Sequence, residues 1–433
     1  MRFSVMPFRR GLGLISYALA RARAPRQETE IQLFPGPRLN RRRTPNFQET
    51  HTMKREIFSE EHDMFRDAFK RFVAAEIVPN IEAWNAAGIS PKAIWKRMGA
   101  EGFLGANAEE EYGGAGGDFL YDAVIMEELA YTRAHCVQMS LHSDICMPYV
   151  RHYGSPEQKE KFYRTAISGE CLLAIAMTEP GTGSDLANVQ TRAIKDGDDY
   201  VINGAKTFIS NGQNCDATIV VAKTDPAARH SGISLIMVEA DAPGFVRGRN
   251  LHKIGLKGQD TSEMIFEDCR VPRSNLLGEE GKGFYYLMQQ LQQERLCIGV
   301  GSIASCRRSL DDTVDYVNQR KAFGKSIGDF QNTQFRLAEL ASEIEIGQVF
   351  VDRLLAAHVR GDDIVTEVSM SKWWTTDLQK RVAAQCLQLH GGYGFMHEYP
   401  ISQDYCDAAV QSIYAGTNEI MKLIIARRMG VGS

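Results

Sequence analysis

The chain has 433 residues, of which 44% are hydrophobic, and a formal net charge of -4. This length and composition suit two or three folded domains with sizeable cores. Both signs of charge are interspersed without a basic stripe, which disfavours nucleic acid as a partner. The nine cysteines are scattered without a C-x-x-C pair and no apolar run approaches bilayer length. The sequence therefore predicts a reducing compartment, no metal site and no membrane span.

Residues 1–52 differ in composition from the rest of the chain. Six arginines, from Arg2 to Arg26, precede any acidic residue and are interleaved with apolar residues. This composition is typical of a mitochondrial transit peptide. Alternatively, Met53 is the true start, because a helix-like segment follows it at once. The predicted localisation is the mitochondrial matrix in the first case and the cytoplasm of a bacterium in the second.

Residues 53–170 carry helical, amphipathic periodicity. For example, Phe65, Phe69 and Phe72 share one helix face. From residue 171 to residue 280 the chain changes to short β-branched runs separated by turn residues, which predicts antiparallel strands. Within these runs, Asn203-Gly204 and Asn211-Gly212 have the composition of hairpin turns.

Residues 281–433 return to long helical periodicities with few helix breakers, which predicts four to five helices packed as a bundle. The order of the chain is thus helical, then β, then helical. Because strands and helices do not alternate, a doubly wound parallel sheet is excluded and an α+β multidomain protein is predicted.

One residue of the predicted helix at 287–299 interrupts its apolar stripe. Leu287, Leu291, Glu294 and Ile298 follow the i, i+4, i+7, i+11 spacing of a single helix face. Burying a carboxylate costs several kcal/mol unless it is paired or protonated. Glu294 is therefore either a charge placed against Arg295 or solvent at the helix edge, or an acid with a function.

Three glycine-rich segments have both a structural and a functional interpretation. The loop TEPGTGSD at 178–185 follows a strand, and its glycines and hydroxyls allow a ligand to approach the backbone. The segment QLHGGYG at 388–394 ends a helix with glycines suited to a C-cap. Thr417 is an N-cap candidate for the last helix, which leaves free N-H groups near Ala415 and Gly416. Such donors can bind an oxygen that gains negative charge.

Five segments taken together carry a resemblance to a known family: AMTEPGTGSD, FISNG, QRKAFGKSIGDFQ, QLHGGYGF and IYAGTNEIMK. In this order, on a helix-β-helix layout from about Phe58 to the C-terminus, they resemble the acyl-CoA dehydrogenase family. The resemblance implies a helical N-terminal domain (53–170), an antiparallel β-barrel middle domain (171–280) and a C-terminal four-helix bundle (281–433). It also implies FAD as cofactor, an acyl-CoA substrate, electron-transferring flavoprotein as electron acceptor, and a homotetramer built as a dimer of dimers.

The resemblance assigns residues to the cofactor and the substrate. Those expected at the flavin and the adjacent substrate are Thr178, Ser184, Phe208 and Ser210, with Phe208 flanking the ring. Those expected at the adenine and pyrophosphate, partly across a subunit boundary, are Arg320, Phe323, Gln331, Gln388, Gly391 and Gly392, with Thr417 and Glu419 at the start of the last helix. The candidate substrate contacts are Ser184, Tyr285, Arg295, Ala415 and Gly416.

The catalytic base departs from the commonest pattern of that family. Most members carry a glutamate immediately before the glycine at position 416, whereas this chain has Ala415, which cannot accept a proton. The long-chain and isovaleryl branches instead place a glutamate in a helix whose sequence is similar to LQQERL. The resemblance therefore implies that Glu294 removes the α-proton and that the N-H of Ala415 polarises the thioester oxygen. Arg295 is assigned no part in proton transfer.

The segments GFYYLM and TNEIMK resemble the long-chain branch, which implies a straight medium-to-long-chain acyl-CoA in fatty-acid β-oxidation. Two departures leave isovaleryl-CoA or another branched short-chain acyl-CoA as the alternative. Gln292 stands where the long-chain branch usually has proline, and alanine at position 415 is typical of the isovaleryl branch. An acyl-CoA oxidase, whose familiar form has a longer C-terminal region, and a non-enzymatic binding platform are further alternatives.

Overall fold

The computed structural model describes residues 53–432, so the leader predicted for residues 1–52 lies outside the described residues. Short helices make up the first part of this chain: α1 Glu60–Phe72, α2 Ile81–Ala87, α3 Lys92–Ala100, α4 Phe119–Tyr131, α5 Met147–Tyr153, α6 Pro156–Gln158 and α7 Arg164–Ile167. Turns of π-helix lie beside them at Val73–Ile77, Leu141–Cys146 and Lys159–Tyr163.

The aromatic face predicted for the first helix is confirmed. Phe69 and Phe72 of α1 are buried and Phe65 packs at the edge of the same apolar cluster. All three rings lie against Phe103, which follows α3, in edge-to-face or tilted contacts. Aromatic pairs in such geometries add to the stabilisation that burial itself provides.

The middle part is one sheet of eight strands: β1 Leu173–Ala176, β2 Arg192–Asp196, β3 Asp199–Ser210, β4 Ala217–Lys223, β5 Ile233–Glu239, β6 Phe245–Asn250, β7 Thr261–Pro272 and β8 Leu276–Leu277. The strand order is β6-β7-β3-β2-β4-β5-β8, and β1 pairs with β4. Most ladders are antiparallel as predicted, but β4 pairs in parallel with both β1 and β2. The prediction was wrong there because alternating hydrophobicity does not specify the direction of a neighbouring strand.

Asn203-Gly204 does not form the predicted hairpin turn. Both residues lie inside β3, where the register against β7 shifts between Ile202 and Gly204. Gly204 has a φ of 153°, and a Cβ at this position would lie 2.5 Å from Oγ1 of Thr191. The glycine therefore permits a close approach of the backbone to a neighbouring segment at a bulge.

Asn211-Gly212 forms a turn, but this turn does not connect paired strands. It joins β3 to β4, which are separated in the sheet by β2. The tight hairpin instead joins β2 to β3, where Asp196 pairs with Asp199 across Gly197 and Asp198. Gly197 has a φ of 62°, the left-handed conformation that such a two-residue turn requires.

The last part contains three long helices and two shorter ones: α8 Gly283–Gln319, α9 Gln331–Val359, α10 Val365–His390, α11 Pro400–Gln411 and α12 Asn418–Arg428. A two-stranded hairpin, β9 Lys321–Ala322 and β10 Lys325–Ser326, joins α8 to α9. Among residues 53–432, no helix is both long and apolar enough to cross a bilayer.

Helix α8 connects the three parts of the molecule. Its residues Leu296, Ile303 and Leu310 belong to the core of the bundle, which α4 also enters. About two and a half turns before Leu296, Leu287 packs into the cluster between the sheet and α5. The segment of α8 around Glu294 therefore lies where all three parts meet.

Candidate active site

A cavity of about 1160 Å³ lies at this junction. Its walls come from α4, the π-helical turn before α5, the loops after β1 and β6, the end of β3, α8, α11 and α12. Nine of the predicted site residues line it: Thr178, Ser184, Phe208, Ser210, Glu294, Arg295, Ala415, Gly416 and Thr417. The structure thus brings residues from three of the five motif segments, AMTEPGTGSD, FISNG and IYAGTNEIMK, to one cavity together with Glu294 and Arg295.

Glu294 lies on the cavity-facing side of α8 with Leu291 and Ile298, and only 4% of its surface is exposed. The hydroxyl of Tyr149 on α5 donates a hydrogen bond to Glu294 Oε1 at 2.9 Å. Burial raises the pKa of Glu294 to about 7, although the Tyr149 hydrogen bond and the charge of Arg295 oppose this shift. The side chain is therefore not at a solvated helix edge, and it can accept a proton near neutral pH.

Arg295 lines the same cavity and is also buried. Burial lowers the pKa of its guanidinium, and the neighbouring charge of Glu294 acts in the opposite direction. Within residues 53–432, its buried Nε atom has no hydrogen-bond partner. Arg295 thus places a cation beside Glu294. Its Nε–H is available for a further hydrogen bond.

The turn of residues 415–417, which precedes α12, forms the facing part of the cavity. Ala415 and Gly416 both have left-handed backbones, with φ values of 50° and 88°. A Cβ at Gly416 would lie 2.8 Å from Cε of Met421. The side chain of Thr417 accepts a hydrogen bond from the N-H of Ile420, which confirms the predicted N-cap. The turn therefore lies at the helix end where backbone N-H groups are free to bind an oxygen.

A buried ion pair attaches the 178–185 loop to β3. Lys206 Nζ lies 2.8 Å from Glu179 Oε1 and also donates to the carbonyl of Met177 at 3.0 Å. The N-H of Thr207 donates to the carbonyl of Thr178 at 2.9 Å. Sequence patterns did not indicate this pair, although Glu179 lies in one of the segments that carried the resemblance and Lys206 lies two residues before another. The pair fixes the loop next to the strand end that holds Phe208.

The wall formed by this loop and β3 fits a planar ring with polar edges. Phe208 has a left-handed backbone, with a φ of 60°, and 67% of its surface is exposed although it lines a cavity. The hydroxyl-bearing residues Thr178, Ser184 and Ser210 line the cavity with it. An accessible aromatic face flanked by hydroxyls suits stacking against a flavin and hydrogen bonding to its edge.

A second cavity, of about 480 Å³, lies between the end of α8 and the end of α10. Four predicted residues line it: Arg320, Gln388, Gly391 and Gly392. The Arg320 guanidinium lies 5.4 Å from the centre of the Tyr393 ring. His390 also lines the cavity, but its ring stacks on Tyr316 and its Nδ1 lies 2.9 Å from the carbonyl of Cys386. This cavity combines a cation, an amide and aromatic surfaces, which suit a phosphate group and a stacked base.

Four predicted residues lie away from both cavity walls: Tyr285, Phe323, Gln331 and Glu419. The cavity-facing side of α8 carries Phe284, Met288 and Leu291. Tyr285 follows Phe284 directly, and because successive residues of a helix point about 100° apart, its side chain is half exposed instead. Phe323 is 95% exposed in the β9–β10 hairpin. Gln331 and Glu419 are exposed in the first turns of α9 and α12.

Tyr149 is a further site residue that the sequence analysis missed. It is fully buried and its hydroxyl donates to the predicted base. In the sequence it is an aromatic residue of a helical pattern, and this does not distinguish it from any other core tyrosine. Among the described residues there is no cluster of three or more metal-ligating side chains.

Comparison with known proteins covers nearly all of the described chain. Three family models match: "Acyl-CoA dehydrogenase, N-terminal domain" at residues 59–170, "middle domain" at 174–269 and "C-terminal domain" at 281–430. Long-chain specific acyl-CoA dehydrogenase, mitochondrial, from Rattus norvegicus is 50% identical over 377 residues, which are 87% of this chain and 88% of the rat protein. Isovaleryl-CoA dehydrogenase, mitochondrial, from Oryza sativa is 36% identical over 376 residues, 86% of this chain and 92% of the rice protein.

Solved structures agree with the sequence relatives. The crystal structure of acyl-CoA dehydrogenase from Geobacillus kaustophilus matches with a TM-score of 0.86 and 53% identity, and covers 87% of this chain and 100% of that one. The predicted fold class, with a helical N-terminal part, a sheet-rich middle and a helical C-terminal part, is confirmed. The chain belongs to the acyl-CoA dehydrogenase family, the FAD-dependent flavoprotein oxidoreductases of fatty-acid metabolism.

Proposed function

We propose that the protein dehydrogenates straight medium-to-long-chain acyl-CoA at the Cα-Cβ bond to give the trans-2-enoyl-CoA of β-oxidation. The observation that carries this proposal is the burial of Glu294 in the cavity that the Ala415 turn also lines. The cavity volume of about 1160 Å³ leaves room for an acyl group beside a flavin ring. The 50% identity to the rat long-chain enzyme supports the same chain length.

The proposed reaction begins at the α-carbon of the thioester. An α-proton of a thioester is a weak acid, so its removal requires a base and a group that stabilises the negative charge on the thioester oxygen. Glu294 takes the proton, and its raised pKa of about 7 matches a base that works near neutral pH. The Ala415 N-H donates to the thioester oxygen, and one such donor is worth about 3 to 4 kcal/mol.

The second hydrogen leaves the β-carbon as a hydride. Bound FAD supplies the acceptor for this hydride. Thr178, Ser184, Phe208 and Ser210 would hold its ring against the wall that they form, and Arg320, Gln388 and the adjacent glycines would hold its phosphate and adenine end. Leu291 and Ile298 exclude water from the base, and this keeps its pKa high.

Electron-transferring flavoprotein is the proposed electron acceptor, and a homotetramer arranged as a dimer of dimers is the proposed assembly. Large apolar side chains are exposed in the helical C-terminal part, including Phe323, Phe335, Tyr393 and Phe395, and Tyr393 also lines the smaller cavity. Exposed apolar side chains of this size are found at surfaces that another subunit covers. A shared boundary at this place would add contacts to the adenine end of FAD.

The proposed localisation follows the two alternatives for residues 1–52. Rat, mouse and pig relatives carry the word mitochondrial in their names, which supports a mitochondrial matrix protein if the arginine-rich segment is a transit peptide. Bacillus subtilis also has a relative, 37% identical over 370 residues, which supports the cytoplasm if the chain is bacterial and begins at Met53.

A branched short-chain acyl-CoA, such as isovaleryl-CoA, is the second candidate substrate. The observation that favours it is Ala415, whose methyl group lies at the cavity wall. The other departure, Gln292, does not line the cavity. Its side chain accepts from the N-H of Ile364 at 3.1 Å and donates to the carbonyl of Asp362 at 3.2 Å. Gln292 thus attaches the start of α10 to α8. Of the two departures, only Ala415 lines the cavity and can change its shape.

The test is a substrate panel from branched C5 to straight C18 acyl-CoAs, with electron-transferring flavoprotein as acceptor and kcat/KM as readout. We expect the maximum at a straight medium-to-long chain, and a maximum at isovaleryl-CoA would overturn this choice. Rapid peroxide formation in air would instead support an oxidase. The visible spectrum of the purified protein comes first, because a protein without flavin would contradict every enzymatic version.

A further inference from the structure

Lys372, in the middle of α10, is a completely buried cation, with 0% of its surface exposed. Its ammonium group donates to the carbonyl oxygen of Gly416 at 2.8 Å and lies 3.2 Å from Oδ1 of Asn418. Both of these acceptors are neutral. Burying an ammonium group against neutral oxygens is unfavourable for the stability of a fold, so a function for this residue must be considered.

The carbonyl that Lys372 binds belongs to the 415–417 turn. Ala415 and Gly416 have consecutive left-handed backbones, at φ values of 50° and 88°. This conformation is unfavourable for alanine, because Cβ approaches a backbone carbonyl oxygen. A residue stays in such a conformation only where the surrounding structure holds it there. The turn therefore needs contacts from outside its own chain segment.

Asn418 supplies the second half of these contacts. Its Nδ2, which carries two hydrogens, lies within hydrogen-bond distance of the carbonyl of Trp373 at 3.2 Å, Oγ1 of Thr376 at 3.0 Å and Oδ1 of Asp377 at 2.9 Å. Its backbone N-H donates to the carbonyl of Ser412 at 3.1 Å. Lys372 and Asn418 thus connect the turn to one face of α10. We call these two residues, with Thr376, the α10 clamp.

The electrostatics of the clamp suit an anion in the cavity. Burial, together with the charge of Arg295, lowers the pKa of Lys372 to about 8, while Asp377 and Glu419 oppose the shift. Lys372 and Arg295 are therefore near enough to influence each other, and both lie beside the turn or the cavity wall. Negative charge that develops on an oxygen bound at the turn would experience a positive potential from both.

We propose that Lys372 is a positioning residue that holds the 415–417 turn from α10, so that the Ala415 N-H keeps the orientation needed to bind the thioester oxygen. This inference deepens the proposed function and rests on it for the identity of that oxygen. The contact between Lys372 and the turn is independent of the substrate. The contact itself and its role in the reaction can therefore be tested separately.

The variant Lys372→Met, made in the full-length holoenzyme, keeps the length of the side chain and removes its donors. Arg381→Met is the matched control, because Arg381 is an exposed cation on the same helix that pairs with Glu343 and not with the turn. The first readout is hydrogen-deuterium exchange of peptides that cover residues 412–420. We expect faster exchange in Lys372→Met and exchange as in the wild type in Arg381→Met.

The second readout is kinetic, with the best substrate of the panel. A displacement of the donor turn by about 1 Å can cost about 100-fold in rate, so we expect kcat to fall about 10- to 100-fold in Lys372→Met with little change in KM. The isotope effect of an α-deuterated substrate should rise, because proton removal becomes slower relative to the other steps. A loss of general stability would not by itself produce this split between kcat and KM.

A milder variant keeps the proposal testable if Lys372→Met does not fold. If Lys372→Met does not retain flavin, Thr376→Val is the second variant, because it removes only the hydroxyl that bonds to Asn418. The exchange rate at 412–420 and kcat should then change in the same directions as in Lys372→Met, but by less. Unchanged exchange at 412–420 in the folded variants overturns the proposed contact. Faster exchange with unchanged kcat overturns its role in the reaction. A wild-type protein that dehydrogenates no acyl-CoA contradicts the proposed function instead, and the exchange result still decides whether Lys372 holds the turn.

Discussion

Helix α8 and the 415–417 turn contribute to the same cavity in different ways. Glu294 projects from a regular helix, so ordinary helical geometry sets its position and burial sets its pKa. The turn contributes backbone groups, and its left-handed residues depend on hydrogen bonds from α10. A reactive side chain can thus be placed by local structure, whereas a reactive backbone group needs distant contacts to hold its conformation.

The largest expected effect comes from replacing the acid on α8. Glu294→Gln keeps the shape and removes the proton acceptor, so kcat should fall about 10²- to 10⁴-fold while the flavin remains bound. Glu367→Gln, at an exposed position on α10, is the control and should behave as the wild type. Near-normal turnover of Glu294→Gln would show that Glu294 is not the base.

The second-largest expected effect concerns the binding of FAD at the smaller cavity. Arg320→Ala removes the cation of the smaller cavity, and a charge-assisted hydrogen bond is worth about 1.5–3 kcal/mol. We expect FAD to bind about 10- to 100-fold more weakly, and activity to return when excess FAD is added. Arg336→Ala, which loses only an exposed pair with Glu339, should bind FAD normally. Unchanged FAD affinity in Arg320→Ala would remove this residue from the cofactor site.

A smaller effect concerns how burial sets the pKa of the base. The Tyr149 hydrogen bond lowers the pKa of Glu294, which burial raises to about 7, so activity of the wild type should rise with pH through about 7 as the carboxylate forms. Tyr149→Phe removes a donor to that carboxylate, so the pKa rises further and the activity profile moves to higher pH, by about one unit or more. At neutral pH the rate should fall about fivefold or more, as the ionised fraction of the base decreases.

The pH profile of kcat/KM is the measurement for this prediction. Tyr153→Phe is the control, because the hydroxyl of Tyr153 bonds to Gln289 and Gln290 rather than to Glu294. A profile of Tyr149→Phe that does not move, or that moves to lower pH, would show that Tyr149 does not stabilise the ionised base.

The smallest effect tests the strain in the turn. Ala415→Gly removes about 1–2 kcal/mol of left-handed strain, but the glycine adds about 0.4–1 kcal/mol of chain entropy to the unfolded state. The free energy of unfolding should therefore rise by about 0 to 1.6 kcal/mol. Ala426→Gly, inside α12, should instead destabilise by about 0.5–1 kcal/mol. Thermal unfolding of the two variants measures this contrast, and opposite signs from those expected would contradict the strain argument.

Local patterns in the sequence were enough for several features. The stripe on α8 marked Glu294 because helical periodicity repeats over a few residues, and the cap at Thr417 was predictable because capping depends on neighbouring residues. The helical, β, helical order followed from changes of period along the chain. These are all interactions between residues close together in sequence.

Tertiary packing decided the rest. Tyr149 lies 145 residues from the acid that it bonds to, and no periodicity relates the two. The parallel pairing of β1 with β4 and the close approach of Gly204 to Thr191 depend on which segments become neighbours in the folded sheet. Likewise, the hydrogen bond from Lys372 to the carbonyl of Gly416, next to the left-handed Ala415, joins two helices that the sequence does not relate. The sequence alone thus determined which elements form and where the acid lies, whereas packing determined which partners tune that acid and hold the turn that faces it.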